Sequence, residues 1–478
     1  MLADLTQKRD HLVDFIDAHL ALVSPARRLP DDVVREIFEA SLPSEYAVMR
    51  GDEPPLLLRQ ICQPWRRLAQ STPRLWATLH VAASPSDKME KMRDAVNVWI
   101  ARSGSVPLSL SFLARRFDSD CDISSVLKTF VGVAYRWKDI RLVVSEGHLG
   151  PLAVLSPHDV PMLQRAVVKG AAARKFLSFM GAPTLRSVAL MAQETTFHSL
   201  PLHWHTLVHL SIEGYIEVRE ALALLRQSPR LETCNLHVQS VEGPVSPIPC
   251  HLEHLSQLCL DDWSLVGASL FRALVLPSLR RLEYTCQFVV KGHSLPFLNL
   301  LYPDNCLECL SLNIGQLPEE SVLEALCLVP MLQELCMVQN TVERVDRMRV
   351  ANEPLSIVAL LTSGSLESTD MLCPTLRSIR LLHTRVSDIE LLAFIRSRTG
   401  PHLMNNHLSR VHVEFYDRPM QVDIMPSLLA LIDNCLDVSL RYNYSPPPVI
   451  RYSPSDQNQS PDAEWAPFST TWSAGRRW

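Results

Sequence analysis

One short pattern limits what this chain can fold into more than any other feature. After Pro161 an eight-residue unit recurs: Pro, any residue, Leu, two residues, an apolar residue, one residue, an apolar residue. It reads PMLQRAVV at 161, PTLRSVAL at 183, PRLETCNL at 229, PSLRRLEY at 277, PMLQELCM at 330 and PTLRSIRL at 374. Without the leading Pro it returns as HTLVHLSI at 205, EHLSQLCL at 253, NCLECLSL at 305 and NHLSRVHV at 406. The first Leu of each unit falls at 163, 185, 207, 231, 255, 279, 307, 332, 376 and 408. In a strand, side chains alternate between faces. Counted from its Leu, here and below, the unit therefore predicts a short strand whose first, fourth and sixth positions point into a core, while its third and fifth point out. One such unit cannot bury its apolar side alone, so the units must stack.

Most of the spacings lie within the roughly 20–29-residue period of leucine-rich repeats, and the unit resembles their L-x-x-L-x-L pattern. A gap of 44 residues follows Leu332, and it has room for one degenerate repeat or an insertion. The segments between units, such as VREALALLRQSP (218–229) and EESVLEALCLVP (319–330), have helical spacing and would form an outer layer. The Asn usual eight positions after the first Leu is present only as Asn340. The expectation is an irregular α/β solenoid, parallel strands on its concave face and helices outside, without a continuous Asn ladder.

Upstream, residues 2–23 repeat apolar positions at Leu5, Leu12, Phe15, Ile16, Leu20 and Val23, which predicts one amphipathic helix ended by Ser24-Pro25. A compact helix begins at Pro30, whose ring suits a first helical position, with Asp31 and Asp32 favouring its N-terminus. On it Val33, Val34, Ile37, Phe38 and Leu42 fill an arc of roughly 180°. A helix lying on a single core usually shows a narrower stripe of ~100°, so this one has apolar surface for a second contact. A polar loop, PSEYAVMRGDEPP, leads to a second helix over about 56–69, with Leu57, Ile61, Trp65 and Leu68 at helical spacing. Strands are expected after STPRLW, at 106–112 and at 138–144, with a helix from about Asp87 between the first two. The expected division is a helix at 1–23, a helical module at 24–82, a connecting α/β segment at 83–160, the repeat array at 161–444 and a Pro/Ser-rich disordered tail at 445–478. Ser445, Ser453 and Ser460 precede Pro there, as candidate phosphorylation sites or plain loop residues.

The formal net charge of −5 argues against general nucleic-acid binding, which needs a concentrated basic surface. The twelve cysteines are scattered, mostly within apolar runs, as reduced thiols used as small hydrophobes are. The first residues lack the apolar core of a signal peptide, and no run reaches the ~18 apolar residues a membrane span needs. These features predict a soluble protein of the cytoplasm, the nucleus or both, with no membrane or nucleic-acid partner.

The segment LPDDVVREIF…LLLRQICQPWRRLAQSTPRLW, residues 29–76, resembles the F-box. Its Leu29-Pro30, Asp32, Val33-Val34, Ile37-Phe38, Leu56–Leu58, Ile61-Cys62, Trp65-Arg66 and Leu75-Trp76 match that motif in order. The leading helix, the long first loop and the trailing repeats are similar to the F-box proteins of basidiomycete fungi. The resemblance in detail covers residues 24–80. It implies that the module docks on the Skp adaptor of a Skp–cullin–F-box (SCF) ubiquitin ligase, and through it joins cullin and RING subunits. Leu29, Pro30, Asp32, Val33, Ile37, Phe38, Leu57, Ile61 and Trp65 would touch the adaptor or support that contact. There are two departures: Asp32 stands where Glu is more usual, and Pro64 falls inside the expected second helix, where it would cost ~3 kcal/mol.

The array would then hold a protein substrate on outward strand positions: His209, Ser211, Thr233, Asn235, Gln257, Arg281, Glu283, Glu334, Arg380, Arg410 and His412. No catalytic motif of the common hydrolases, nucleotide-binding loop or dinucleotide fingerprint is present. No enzyme, cofactor or metal site is expected. Cys306-x-x-Cys309 flanks repeat leucines and has no second pair. His203, His205 and His209 straddle a repeat start. Asp118, Asp120 and Asp122 mimic a calcium loop but lack its Gly and its Glu, with Ile123 and Thr129 in those places. The alternative function is a non-enzymatic leucine-rich scaffold or receptor with an F-box-like domain outside any ligase.

Overall fold

The computed structural model describes residues 2–23, 28–83, 89–114, 123–170, 176–191, 197–239, 248–263, 267–286, 295–301, 306–313, 319–338, 358, 361–362, 372–384, 386–399, 408–416, 419–433 and 435–443. The chain forms two units, Met1–Leu163 and Gln164–Trp478. Both are α/β, built on parallel strands. Asn340, the three Asp residues at 118–122 and the serines of the tail lie outside the described residues.

In the first unit, helix α1 (Leu2–Val23) precedes α2 (Asp31–Ala40), which opens directly after Pro30 with two acidic residues in its first turn. The helix expected over 56–69 is instead two: α3 (Leu58–Ile61) and α4 (Gln63–Gln70). Cys62 between them is extended, at φ −156° and ψ 166°. Pro64 therefore sits in the first turn of α4, where a missing N–H costs nothing. The loop at 43–55, read as merely polar, buries Tyr46 and Ala47. A 3₁₀ turn at Pro73–Trp76 leads to β1 (Thr78–Ala82). Helix α5 (Met89–Arg102), β2 (Leu108–Leu113), α6 (Ser124–Val131) and β3 (Trp137–Val143) follow. β1 pairs with β2 and β2 with β3, all parallel. Trp76 anchors this core: its ring N–H donates to the Ala69 carbonyl at 2.9 Å, and it packs edge-on against Trp99.

Among its described residues the second unit carries eleven strands in one parallel ladder: β4 (Arg165–Lys169), β5 (Ser187–Met191), β6 (His209–Glu217), β7 (Thr233–Gln239), β9 (Gln257–Asp262), β11 (Arg281–Cys286), β12 (Cys309–Asn313), β13 (Glu334–Val338), β14 (Ser378–Thr384), β15 (Arg410–Tyr416) and β16 (Asp437–Asn443). Two short strands, β8 (Cys250–His251) and β10 (Leu274–Val275), pair separately. The ladder follows the repeat in register. Leu210, Cys234, Leu258, Leu282, Leu310, Leu335, Ile379 and Val411, each the fourth residue of its unit, face one another strand by strand. In all ten units the first, fourth and sixth positions are buried. Helices α7 (Val218–Gln227), α8 (Gly267–Ala273), α9 (Glu319–Cys327), α10 (Asp388–Arg398) and α11 (Met425–Ile432) fill longer connections. The 22-residue connections carry 3₁₀ turns in place of helices. The strand β16 was not in the repeat pattern. Its first position is Cys435, exposed and at φ 73°, instead of a buried Leu.

Candidate functional site

On α2 the apolar arc divides. Val34 and Phe38 are enclosed, and Phe38 packs edge-to-face on Trp65 of α4, 5.0 Å between ring centres. Val33 and Ile37, one turn apart on the other side, remain 41% and 42% exposed. Leu29, four residues before Val33, is also exposed. A second pair repeats the arrangement beyond the loop. Leu57 and Ile61 are 38% and 54% exposed, while Leu58 beside them is buried. Each pair is spaced by four, so its two side chains share a helical face. Pro30 and Asp32 are exposed and Trp65 is half-buried. Eight of the nine residues expected to face an adaptor thus carry accessible surface. Phe38 is the exception: it is enclosed by its own unit and supports the surface from beneath.

Polar contacts hold these elements around that surface. Arg66 Nε donates to the Arg59 carbonyl at 2.8 Å, joining α4 to α3 across the extended residue. Arg74 reaches Glu39 of α2 at 3.4 Å. The loop at 43–55 is clamped to the edge of the strands: His80 N–H donates to the Ala47 carbonyl at 2.8 Å, and Val48 bridges His80 in parallel. Arg141 on β3 pairs with Glu45 at 2.8 Å and lies over the Tyr46 ring. The buried His80 ring is within 2.9 Å of Ser111 Oγ. Burial, and secondarily the Arg141 charge, hold its pKa down at about 4.

In the second unit the third and fifth positions of each repeat line the open strand face. His209, Ser211, Thr233, Asn235, Gln257, Glu283, Arg281, Glu334, Arg380, Arg410 and His412 all lie there, half-buried. Cys309, Ser311 and Cys336 occupy the same rows but are buried. Much of the charge is matched locally. Arg281 reaches Glu334 at 3.6 Å across the Cys309 thiol, which donates to the same carboxylate. Arg410 meets Asp437 at 3.4 Å, and His412 and Arg441 converge on Glu414. His209 Nδ1 is 2.8 Å from Thr233 Oγ1. Ser211 Oγ and Asn235 Oδ1, neighbours across β6 and β7, are buried atoms with no hydrogen-bond partner among the described residues.

Four residues that the repeat pattern did not single out stand at the C-terminal ends of β6, β7 and β9. Tyr215 and Trp263 meet edge-to-face at 5.0 Å, Tyr215 also meets the His237 ring, and His237 Nδ1 is 3.6 Å from Asp261. The signal that could have found them is an aromatic on an outward position just past two repeat units. A bulge in β6 between Ile212 and Tyr215 carries Tyr215 out of the regular count.

Among the described residues, neither the Cys306/Cys309 pair nor the three histidines gathers a set of metal ligands. Cys306 is exposed, but burial and the neighbouring Glu334 carboxylate raise the Cys309 thiol far from thiolate formation. Burial likewise pushes Cys234 up to about 12 and Cys336 up to about 11. His203 and His205 meet edge-to-face, ring centres 5.9 Å apart, while His209 turns to Thr233. Among the described residues no group of three or more His, Cys, Asp or Glu is placed to hold a metal. No helix among them is long and apolar enough to cross a membrane. Compared with known proteins, the sequence matches no family model and no curated protein.

Proposed function

We propose that the chain is the substrate-recognition subunit of an SCF-type E3 ubiquitin ligase. Residues 29–76 act as the F-box and dock a Skp-type adaptor, which brings cullin and RING subunits. The open strand face of the second unit, read as a leucine-rich-repeat solenoid, holds a protein substrate. The chain performs no chemistry itself. It raises the local concentration of a substrate lysine at a catalytic centre elsewhere in the assembly, in the cytoplasm, the nucleus or both.

One observation carries this reading: α2 and the α3 turn bury one side and leave apolar side chains on the other. Val33, Ile37, Leu57 and Ile61 lie at the positions where the F-box resemblance puts partner contact. A helix offering an i, i+4 apolar face to a groove is a common recognition mode. Burying a whole aliphatic side chain stabilises by about 1.5–3 kcal/mol. These four half-covered ones would contribute roughly 3–6 kcal/mol, against the ~8 kcal/mol of micromolar binding. Pro30, Asp32, Leu29 and Trp65 would share the remainder. The alternative reading, a scaffold outside any ligase, drew on Pro64 as a helix breaker. In the first turn of α4, Pro64 no longer speaks for it.

The test is co-purification of the tagged full chain with Skp-type and cullin proteins. Wild type recovers both, and Ile37→Asp and Ile61→Asp each lose at least ~90% of the adaptor, a tenfold effect of about 1.4 kcal/mol. If wild type recovers neither protein, the ligase assignment is wrong.

A further inference from the structure

We infer that the chain self-associates through the outer edge of β16, which pairs antiparallel with β16 of a second copy about a two-fold axis at Ser439. The inference goes beyond the proposed function and does not rest on it. Among the described residues β16 is laddered to β15 alone. A strand paired on one side presents a row of N–H and C=O groups on the other, ready to take a further strand. In the first unit the outer edge of β1 is closed by the loop at 43–55. No described segment closes that of β16.

The backbone limits the register and the side chains select it. Asp437 N–H donates to the Ser409 carbonyl, on the β15 side. Backbone groups alternate along a strand, so those of Ser439 and Arg441 also face β15, and those of Val438 and Leu440 face the outer edge. With the axis at Ser439, Val438 of each copy opposes Leu440 of the other, and the two exchange both N–H···O bonds. These half-buried apolar side chains then meet across the axis and continue the core row. Asp437 of each copy opposes Arg441 of the other in the closely spaced, non-hydrogen-bonded positions, where opposite charges attract. Within the chain Asp437 touches Arg410 at 3.4 Å and Arg441 touches Glu414 at 3.5 Å, yet their side chains stay 68% and 65% exposed. Moving the axis to Val438 or Leu440 keeps the hydrogen bonds but sets Asp437 opposite Ser439 or Asn443. Charges of one sign on this edge would repel a second copy; opposite signs placed evenly about Ser439 attract one. Leu429, on the α11 helix that leads into β16, is 56% exposed and adds apolar surface at the same end. The chain that leaves β16 reads Tyr-Ser-Pro-Pro-Pro over residues 444–448. Proline has no N–H to give a ladder, so this segment is poorly suited to turn back and fill the edge itself.

The experiment follows the mass of the full chain by sedimentation equilibrium at roughly 1–200 µM, the range of a weak specific contact. Wild type passes from monomer to dimer in that range. Asp437→Lys and Arg441→Asp each set like charges opposite one another across the axis and raise the dissociation constant at least ~10-fold. An equal mixture of the two variants regains the dimer, because every charge then meets an opposite one in the other copy. Glu253→Lys, at an exposed acid before β9, changes the net charge as Asp437→Lys does and leaves the dimer intact. Amide exchange at Val438 and Leu440 is fast in the dilute monomer and slows as the concentration rises. Thermal melts check the folding of each variant, and the mixture answers independently, since chains damaged by a substitution do not recover on mixing. A wild type that stays monomeric at the highest concentration overturns the proposal, and slow exchange at Val438 and Leu440 in that monomer would assign the edge to the chain's own tail. Dimers that ignore both reversals, or a mixture no tighter than its components, overturn it as well.

Discussion

Ile37 and Phe38 are neighbours in sequence with opposite environments. One residue on a helix is a rotation of about 100°, enough to place Phe38 against Trp65 and Ile37 in solvent. The two side chains therefore answer different questions when mutated. Phe38→Ala removes a fully enclosed ring and destabilises the first unit by about 3–5 kcal/mol, read as a lower urea midpoint. Any loss of adaptor binding that accompanies it reports unfolding. Ile37→Asp leaves the urea midpoint within ~0.5 kcal/mol of wild type, as surface changes do, and its effect on the adaptor is then a contact effect. A midpoint for Ile37→Asp as low as that of Phe38→Ala would show that Ile37 belongs to the core. His80 gives a second residue-scale prediction. Its pKa lies at about 4 when folded, against 6.5 for the free side chain. The unfolded state takes up the proton first, so His80 contributes stability that is present above pH 6.5 and is lost as pH falls toward 4. The difference is worth up to ~3 kcal/mol. Urea melts at pH 7 and pH 4.5 should show a steeper loss for wild type than for His80→Gln, and parallel curves would refute the assignment.

At the scale of elements, Pro64 shows what periodicity can and cannot read. Leu57, Ile61, Trp65 and Leu68 keep helical spacing across a break that holds only one extended residue, Cys62. An i, i+4 count has no way to register that residue. The break changes which side chains are inside: Leu58 and Leu68 are buried, Leu57 and Ile61 are not. Because Pro64 begins a helix, Pro64→Ala should shift stability by less than ~1 kcal/mol and leave adaptor recovery unchanged, where a mid-helix proline would have cost ~3. A gain near 3 kcal/mol in the melt would restore the strained-helix reading. The loop at 43–55 was illegible for another reason. Its hold on β1 runs through backbone groups of Ala47 and His80, which composition does not encode, and it covers an edge that would otherwise stay unpaired. Where the repeat lacks its Asn ladder, other buried groups stand in. Asp262 accepts from the Gly267 backbone at 2.8 Å and from Tyr284 at 3.0 Å. A Cβ on Gly267 would sit 2.6 Å from that same carboxylate oxygen. Gly267→Ala should therefore cost roughly 2–3 kcal/mol by displacing a buried hydrogen-bonded carboxylate, measurable as a lowered melt of the second unit.

At the scale of the molecule, the repeat pattern fixed more than any local feature, because stacking forces every unit into the same register. The three inward rows could be read directly, since a strand position is either core or not. The outward rows were placed correctly, but their chemistry was not readable from one unit. Which charge meets which depends on strands one and two places over, as with Arg281 and Glu334 across Cys309. The aromatic corner at Tyr215 needed the bulge in β6, a backbone event without a motif. A stack of this kind derives its stability from nearest neighbours, and its ends should open before its middle. β9 has a partner on each side, β7 and β11, whereas among the described residues β16 pairs only with β15. Val438 and Leu440 on β16 are half-buried where their counterparts on β9, Leu258 and Leu260, are enclosed. Besides the ion pairs at Asp437 and Arg441, a carboxylate ties the end: buried Asp388 on α10 accepts from the Gln421 and Val422 backbones and from the Tyr442 hydroxyl at 2.9 Å. Hydrogen exchange should find β16 amides opening at least ~100-fold more readily than those of β9. Asp388→Asn should widen that gap by loosening β15 and β16 while leaving β9 almost untouched. Uniform acceleration across all strands would mean that the second unit opens as one cooperative body, and the nearest-neighbour account of its stability would have to be given up.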